Sequence, residues 1–218
     1  HSSAQSEQDS RAFANMSHMP MLEPSDAEEC YEFTKLGFEI SEKFNIPVIL
    51  RTTTRVAHQR SVVELADYQK RSQFKRGEFI KNPHQFSTMP PRTLEMKKEL
   101  LAKIEKIKQF AEKSKINKII GEKGRIGVIA SGASYLHTME VLDEAGLDLP
   151  VLKLGFFYPL PEKKIKDFIK KNNKILIAEE IDGYIENEII KLAKDTNPKL
   201  QIFGKNLLGQ TGELNTEK

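Results

Sequence analysis

The last hundred residues alternate short apolar runs with amphipathic segments, and this alternation constrains the fold more than any other feature of the chain. It predicts strands at 126–130, 151–154, 175–178 and 200–203, and helices at 135–144, 161–171 and 184–194. The apolar runs are continuous, which is typical of strands buried on both faces of a parallel sheet. Strands joined by crossover helices predict an α/β fold with a mostly parallel sheet.

The first 60 residues predict one more helix and one more strand. Ser25 is interpreted as the N-cap of the helix, and Glu28 as the residue that completes a capping box. Apolar residues then recur at three- and four-residue spacing, and Cys30 is expected to be a small buried member of that face. Residues 47–54 are β-branched and bounded by proline, which predicts a largely buried strand.

The middle of the chain has little apolar periodicity. Residues 60–92 are rich in Arg, Lys, Gln, His and Pro, which indicates a long connection without a core of its own. From Thr93 to about Ile116, heptad-like apolar spacing predicts a long helix whose other face is solvated.

Composition narrows the class of protein. Basic and acidic residues number 34 and 31 and are densely mixed, so no concentrated basic patch points to a nucleic-acid partner. The single cysteine allows neither an intrachain disulfide nor a cysteine-ligated iron–sulfur cluster within the chain, and it favours a reducing, cytoplasmic location. No apolar run approaches the roughly 20 residues of a membrane helix, so no membrane partner is expected.

Several strand ends carry candidate site residues. Ser131–Ser134 precede a helix, where backbone N–H groups can hold an anion; the alternative is a tight turn with Ser134 as N-cap. Glu179 and Glu180 are adjacent, so they start on opposite faces, one expected to contact a neighbouring domain and the other to be solvated. Arg55 and His58 follow the 47–54 strand, and Arg55 is expected to pair either with a bound carboxylate or phosphate or in a surface salt bridge.

The histidines show no metal-ligand spacing, and no nucleophile elbow or Walker motif is present. The chain therefore lacks a self-contained active site, and any catalytic role would be a contribution to a shared one. It opens without Met in polar, motif-like sequence, which we interpret as a piece of something longer.

Three stretches carry a family resemblance: HSSAQSEQDSR at the start, then MLEPSDAEE, then PVILRTTTRVAH. Together with FKRGEFIKNPHQF, GVIASGASY, VLKLGFFYPLPE, IAEEIDG and GELNTE, they resemble in collinear order the alpha subunit of indolepyruvate:ferredoxin oxidoreductase. The combination covers nearly the whole chain and is specific, although no single stretch is.

The resemblance implies a truncated pyrimidine-type thiamine diphosphate domain at about 1–60, a linker and long helix at 61–117, and a transketolase C-terminal-like domain at 118–218. It also implies oxidative decarboxylation of arylpyruvates such as indolepyruvate to aryl-acetyl-CoA with reduction of ferredoxin. Thiamine diphosphate, Mg²⁺, [4Fe–4S] clusters and coenzyme A would serve the complete enzyme, with a beta subunit, a second alpha chain and ferredoxin as partners. The metal and cluster ligands would lie outside this chain, so the isolated chain is expected to be inactive.

Site residues follow from the same resemblance. Arg55 and His58 match the family's R-x-x-H and are the expected catalytic residues. The residues that match the loop facing the thiamine site are His1, Ser2, Gln5, Gln8 and Asp9. For Asp9 and Arg55 a role in domain packing is equally open. Two other readings also stay open: a pyruvate or 2-oxoglutarate enzyme, and a non-catalytic module that docks onto other subunits.

Overall fold

The computed structural model describes residues 7–65, 79–121 and 124–216. Its helices are α1 Ala12–Ser17, α2 Ala27–Phe44, α3 Thr54–His58, α4 Pro83–Phe86, α5 Arg92–Lys113, α6 Gly132–Glu144, α7 Glu162–Lys171, α8 Tyr184–Thr196 and α9 Lys205–Leu208. Its strands are β1 Met21–Leu22, β2 Ile49–Leu50, β3 Lys118–Ile120, β4 Ile126–Ser131, β5 Val151–Leu154, β6 Phe156–Tyr158, β7 Lys174–Ala178 and β8 Gln201–Phe203. No helix of these residues is long and apolar enough to cross a membrane.

The larger sheet has the order β3-β5-β4-β7-β8, and β5, β4, β7 and β8 run parallel to one another. This confirms the predicted α/β class and the mostly parallel sheet. The edge strand β3 pairs antiparallel with β5 and was not predicted, because its three residues carry too short a pattern. The central strands are buried along most of their length, as their continuous apolar runs require.

A smaller sheet joins the two halves of the chain. Its order is β2-β1-β6: β1 pairs parallel with β2 and antiparallel with β6, which directly follows β5. Met21 on β1 also belongs to the main hydrophobic core, with Ile177 and Ile185 of the second half. The two halves thus share hydrogen bonds and a core. The division into domains at residues 60 and 117 stays a prediction.

Three local predictions for the first half were wrong. Asp26, and not Ser25, is the N-cap of α2 and accepts a hydrogen bond from the Glu29 backbone, while the Glu29 carboxylate accepts bonds from the N–H and Oγ of Ser25. The 47–54 strand contracts to two residues, because the chain turns into α3 at Thr54. Cys30 is only half-buried, and burial raises the pKa of its thiol.

Lys153, on β5, binds the start of α2 to the larger sheet. Its side chain is 1% exposed and donates hydrogen bonds to the Ser25 hydroxyl, at 2.6 Å, and to the Glu29 carboxylate. The ammonium also lies 4.3 Å from the centre of the Tyr135 ring. Burial lowers the pKa of Lys153, and attraction to Lys153 outweighs burial at Glu29, whose pKa lies below its ordinary value.

Lys153→Met is expected to lower the free energy of unfolding by about 3 kcal/mol, because it leaves the Glu29 carboxylate without its cation in a largely buried place. Lys35→Met, which removes the exposed Lys35–Glu32 pair, should leave the free energy of unfolding nearly unchanged, because solvent screens exposed charges. Urea denaturation of both variants measures the difference. Equal losses would show that burial of the Lys153 pair contributes nothing special.

Candidate functional site

A cluster of buried ions, formed by Asp9, Arg11, Glu23, Arg51 and Glu179, lies where β1, β2 and β7 end. Arg11 is 2% exposed and donates to both carboxylate oxygens of Asp9 and, at 2.7 Å, to Glu179 Oε2. Its guanidinium also donates to the carbonyl oxygens of Glu180 and Asp182. We call these five residues the ion cluster.

The ion cluster holds the N-terminal segment against the larger sheet. The Arg11 guanidinium lies 5.4 Å from the Phe157 ring centre and 5.3 Å from that of Tyr184, so aromatic faces cover the cation that the carboxylates neutralise. Burial opposes ionisation of Asp9, but hydrogen bonds and attraction to Arg11 outweigh it and keep the pKa of Asp9 below its ordinary value. Asp9 therefore makes packing contacts, one of the two roles open for it, while its role at the thiamine site stays a prediction.

Glu179 and Glu180 are both buried, so the expectation that one of them is solvated was wrong. Glu179 accepts hydrogen bonds from the backbone N–H groups of Ile185 and Glu186 at the start of α8. Glu180 accepts one from Leu214 N at 3.1 Å, and burial raises its pKa. Both carboxylates tie loops to the sheet.

Arg51 and Glu23 complete the ion cluster on the side of α6. They form a buried ion pair, and Arg51 Nη2 lies 3.6 Å from Asp9 Oδ1. The Glu23 carboxylate lies beside the first residue of α6: a Cβ added at Gly132, whose φ is +52°, would be 3.3 Å from Glu23 Oε1. A carboxylate of the chain itself therefore lies beside Ser131–Ser134. Ser131 is the N-cap position and Ser134 lies inside the helix, so the predicted cap at Ser134 was wrong.

The candidate site is a cleft of about 570 Å³ beside the ion cluster, between α3 and α6. Its lining residues are Ser25, Thr54, Arg55, His58, Gln59, Ala133, Leu136, His137, Glu140 and Glu213. They follow the carboxyl ends of β1, β2 and β4, the edge where ligands bind in open α/β sheets. The cleft brings together Arg55 and His58, as the sequence predicted, but on a short helix instead of a strand end.

Two polar atoms in the described part of the cleft lining have no hydrogen-bond partner. Within the described residues, Gln59 Oε1 and His137 Nδ1 are buried and make no hydrogen bond. Such atoms are rare in folded proteins, and a ligand is one of their explanations. His137 Nδ1 is 3.7 Å from Glu140 Oε2, too far for a good hydrogen bond.

Arg55 is the cation of the cleft and is half-exposed. Its Nη2 donates to Glu213 Oε2 at 2.7 Å. The surface salt bridge, one of the two predicted roles of Arg55, is therefore present. Because the pair lies in the cleft, the other role, binding a carboxylate or phosphate ligand, stays open.

The structure places the other predicted loop residues differently. Gln8 is described and exposed, but it does not line the cleft. His1, Ser2 and Gln5 lie outside the described residues. The sequence reasoning missed Arg11, Arg51 and Glu23. An arginine inside the apolar run Val48–Arg51 and a glutamate directly after Met21–Leu22 were the available signals, because charged residues become buried in such runs only when paired.

A second cleft, of about 580 Å³, lies on the other side of Arg11. Phe157, Tyr158 and Tyr184 give it an aromatic wall, and Lys108 and Glu162 form an ion pair at its edge. It contains none of the predicted site residues, and we take the α3–α6 cleft as the candidate site.

Asp9→Asn is expected to cost about 3 kcal/mol of unfolding free energy at pH 6, because Arg11 and Arg51 lose a buried counter-ion. The pKa of Asp9 is lowered by folding, so its contribution is complete above the unfolded value of about 3.9 and is lost as the pH falls through the folded value. Denaturation of wild type and variant at pH 6 and pH 3 should show the gap narrowing in acid. The exposed Asp195→Asn serves as control; an unchanged gap for Asp9→Asn would contradict this account.

Comparisons with known proteins agree with the fold. A family model for pyruvate flavodoxin/ferredoxin oxidoreductase, thiamine diphosphate-binding, matches residues 2–119, and one for an indolepyruvate oxidoreductase domain matches residues 117–217. A 2-oxoglutarate:ferredoxin oxidoreductase structure from Magnetococcus marinus, with 2-oxoglutarate, coenzyme A and succinyl-CoA bound, shares the fold at a TM-score of 0.57 and 15% identity, over 85% of this chain and 39% of that one.

Curated relatives are more similar in sequence. Indolepyruvate oxidoreductase subunit IorA of Methanothermobacter marburgensis is 40% identical over 93% of this chain and 33% of its own length. The subunit of the same name from Thermococcus kodakarensis is 38% identical over 99% of this chain and 34% of its own length. The chain spans about a third of the length of these relatives. The chain is similar to these subunits along nearly all of its length. Because the first family model covers more than half of the chain, the chain belongs to the pyruvate flavodoxin/ferredoxin oxidoreductase family.

Proposed function

We propose that this chain forms part of an enzyme that oxidatively decarboxylates arylpyruvates, with indolepyruvate as the characteristic substrate, to aryl-acetyl-CoA while reducing ferredoxin. The observation that carries the proposal is the α3–α6 cleft, where a half-exposed arginine stands beside His58 and buried polar atoms without hydrogen bonds. The IorA relatives and the indolepyruvate oxidoreductase domain support the substrate class.

Arg55 would bind the substrate carboxylate. A guanidinium presents several N–H donors in a planar fork that matches a carboxylate. His58 lies one helical turn after Arg55 and lines the same cleft, so it would contact the 2-oxo end of the substrate. Ala133 and Leu136 on the α6 wall are apolar and would pack against the aromatic side chain.

The described residues fit the organic part of thiamine diphosphate better than its metal-bound end. Among them, no group of three or more His, Cys, Asp or Glu residues is placed to hold a metal ion. Gln59 and His137 have buried polar atoms that fit a ring with hydrogen-bonding groups, and they would hold that part of the cofactor. When bound, thiamine diphosphate supplies the carbanion chemistry that a 2-oxoacid needs to lose carbon dioxide.

The remaining parts of the proposed enzyme would come from elsewhere. Mg²⁺, the [4Fe–4S] clusters, the beta subunit, a second alpha chain and ferredoxin belong to the proposal through the family resemblance. We also retain the predicted division into 1–60, 61–117 and 118–218 as a proposal, which limited proteolysis tests. Cleavage within residues 61–92 that leaves two fragments, still associated through the shared sheet and core, would support a boundary there.

The complete subunit, expressed with its partner subunit, tests the activity. We expect reduction of a viologen dye with indolepyruvate and phenylpyruvate in the presence of coenzyme A. If the dye is reduced with pyruvate or 2-oxoglutarate but with neither arylpyruvate, the proposed substrate class is wrong. Failure to reduce the dye with any 2-oxoacid would reject the enzymatic proposal and favour a subunit-docking module.

Arg55→Ala is expected to lower kcat/KM for indolepyruvate by about 10- to 100-fold, because a hydrogen bond to a charged group contributes about 1.5–3 kcal/mol. Arg60→Ala is the matched control: Arg60 is exposed, five residues away, and outside the cleft lining. Steady-state kinetics of both variants checks the role. Equal kinetics for Arg55→Ala and Arg60→Ala would remove Arg55 from the site.

A further inference from the structure

The segment from Gly209 to Asn215, which we call the strap, contributes Glu213 to the lining of the α3–α6 cleft. It is fixed at two points on either side of Glu213: Gly212 N donates to Glu7 Oε1 at 2.8 Å, and Leu214 N donates to Glu180 Oε1 at 3.1 Å. The Leu214 side chain is buried, 7% exposed. The strap backbone at Glu213 is therefore held in place on both sides.

Glu213 is held where its carboxylate can reach the cleft cation. It accepts a hydrogen bond from Arg55 Nη2 at 2.7 Å, and both residues line the cleft. The two residues are 158 positions apart in the sequence, so the strap alone brings this carboxylate to Arg55. Arg55 thus meets a carboxylate of the protein at the place where the proposed substrate would present its own.

Solvent can reach both members of the Arg55–Glu213 pair. The Arg55 side chain is 53% exposed and that of Glu213 is 24% exposed, so water can replace either partner. An exposed ion pair contributes little to stability, because solvent screens its charges and fixing two side chains in one conformation costs entropy. This contrasts with the ion cluster nearby, where Arg11 and Asp9 are almost completely buried. Because the strap backbone is fixed, only the Glu213 side chain has to move.

We propose that Glu213 is an internal carboxylate that competes with the substrate carboxylate for Arg55 and thereby sets the affinity of the cleft for 2-oxoacids. This inference rests on the proposed function and adds a specificity-determining residue to it. Glu213 occupies Arg55 while the cleft is empty, and it swings aside when an anionic substrate binds. Its effect falls on substrate binding and not on the steps that follow.

Glu213→Gln in the complete subunit pair tests the proposal. Glutamine keeps the shape but loses the charge, so KM for indolepyruvate should fall about two- to fivefold with kcat unchanged, in line with the small contribution of an exposed pair. A titration calorimetry arm uses 3-phenylpropionate, a carboxylate without the 2-oxo group, and its Kd should fall by the same factor. Glu32→Gln is the control, because it neutralises an exposed glutamate paired with Lys35 on α2, outside the cleft.

An unchanged or increased KM and Kd in Glu213→Gln would overturn the proposal, since Glu213 would then orient Arg55 or play no part. Arg55→Ala combined with Glu213→Gln gives a second check: the advantage of Glu213→Gln should vanish when Arg55 is absent. If the wild-type enzyme turns over no 2-oxoacid, the proposed function fails, and the 3-phenylpropionate titration still decides whether Glu213 competes for Arg55.

Discussion

The buried guanidinium of Arg11 is the interaction on which the rest of the structure depends. It joins the N-terminal segment through Asp9, the end of β7 through Glu179, and the following loop through two carbonyl oxygens. Removing such a charge from water is costly, and the arrangement is stable only while every donor has its acceptor. Sheet, N-terminal segment and loop therefore have to be assembled together.

The shape of the α3–α6 cleft depends on these buried ion pairs. Arg51 links the ion cluster to Glu23, and Glu23 lies against the first turn of α6, which forms one wall of the cleft. Three residues after Arg51 the chain enters α3, which forms the other wall. Glu180 then holds the strap through Leu214. Arg55 and Glu213 face the cleft beside these buried charges, with side chains that are 53% and 24% exposed.

The sequence predicted the second half of the fold well and the first half less well, for physical reasons. The long apolar runs of β4, β5 and β7 are buried on both faces, so their pattern reports the structure directly. Strands β1 and β2 have two residues each, too few for a period, and β1 is paired on both sides, with β2 and with β6. Ser25 and Asp26 are both good N-caps, and the buried Lys153 decides between them by engaging the Ser25 hydroxyl. Local preference gave way to tertiary contacts at these points.

Some residues of the candidate site could be predicted from the sequence and others could not. Arg55 and His58 were predicted from a short motif, and the cleft brings them together. Glu213 was not predicted, since a partner 158 positions away leaves no local signal. Nor were Arg11, Arg51 and Glu23, because the partners that allow these charges to be buried lie far away in the sequence.

The small sheet β2-β1-β6 has a consequence for how such a chain can be cut and recombined. Its first two strands come from the N-terminal half, and its third follows β5 of the large sheet without a crossover helix. A chain divided between α5 and β3 would leave β1 with an open hydrogen-bonding edge, which invites pairing with foreign strands. Gene fusions or split versions that place the break there would therefore need to re-associate during folding. Breaks within 60–92 also separate β1 and β2 from β6, so neither position yields two independent halves.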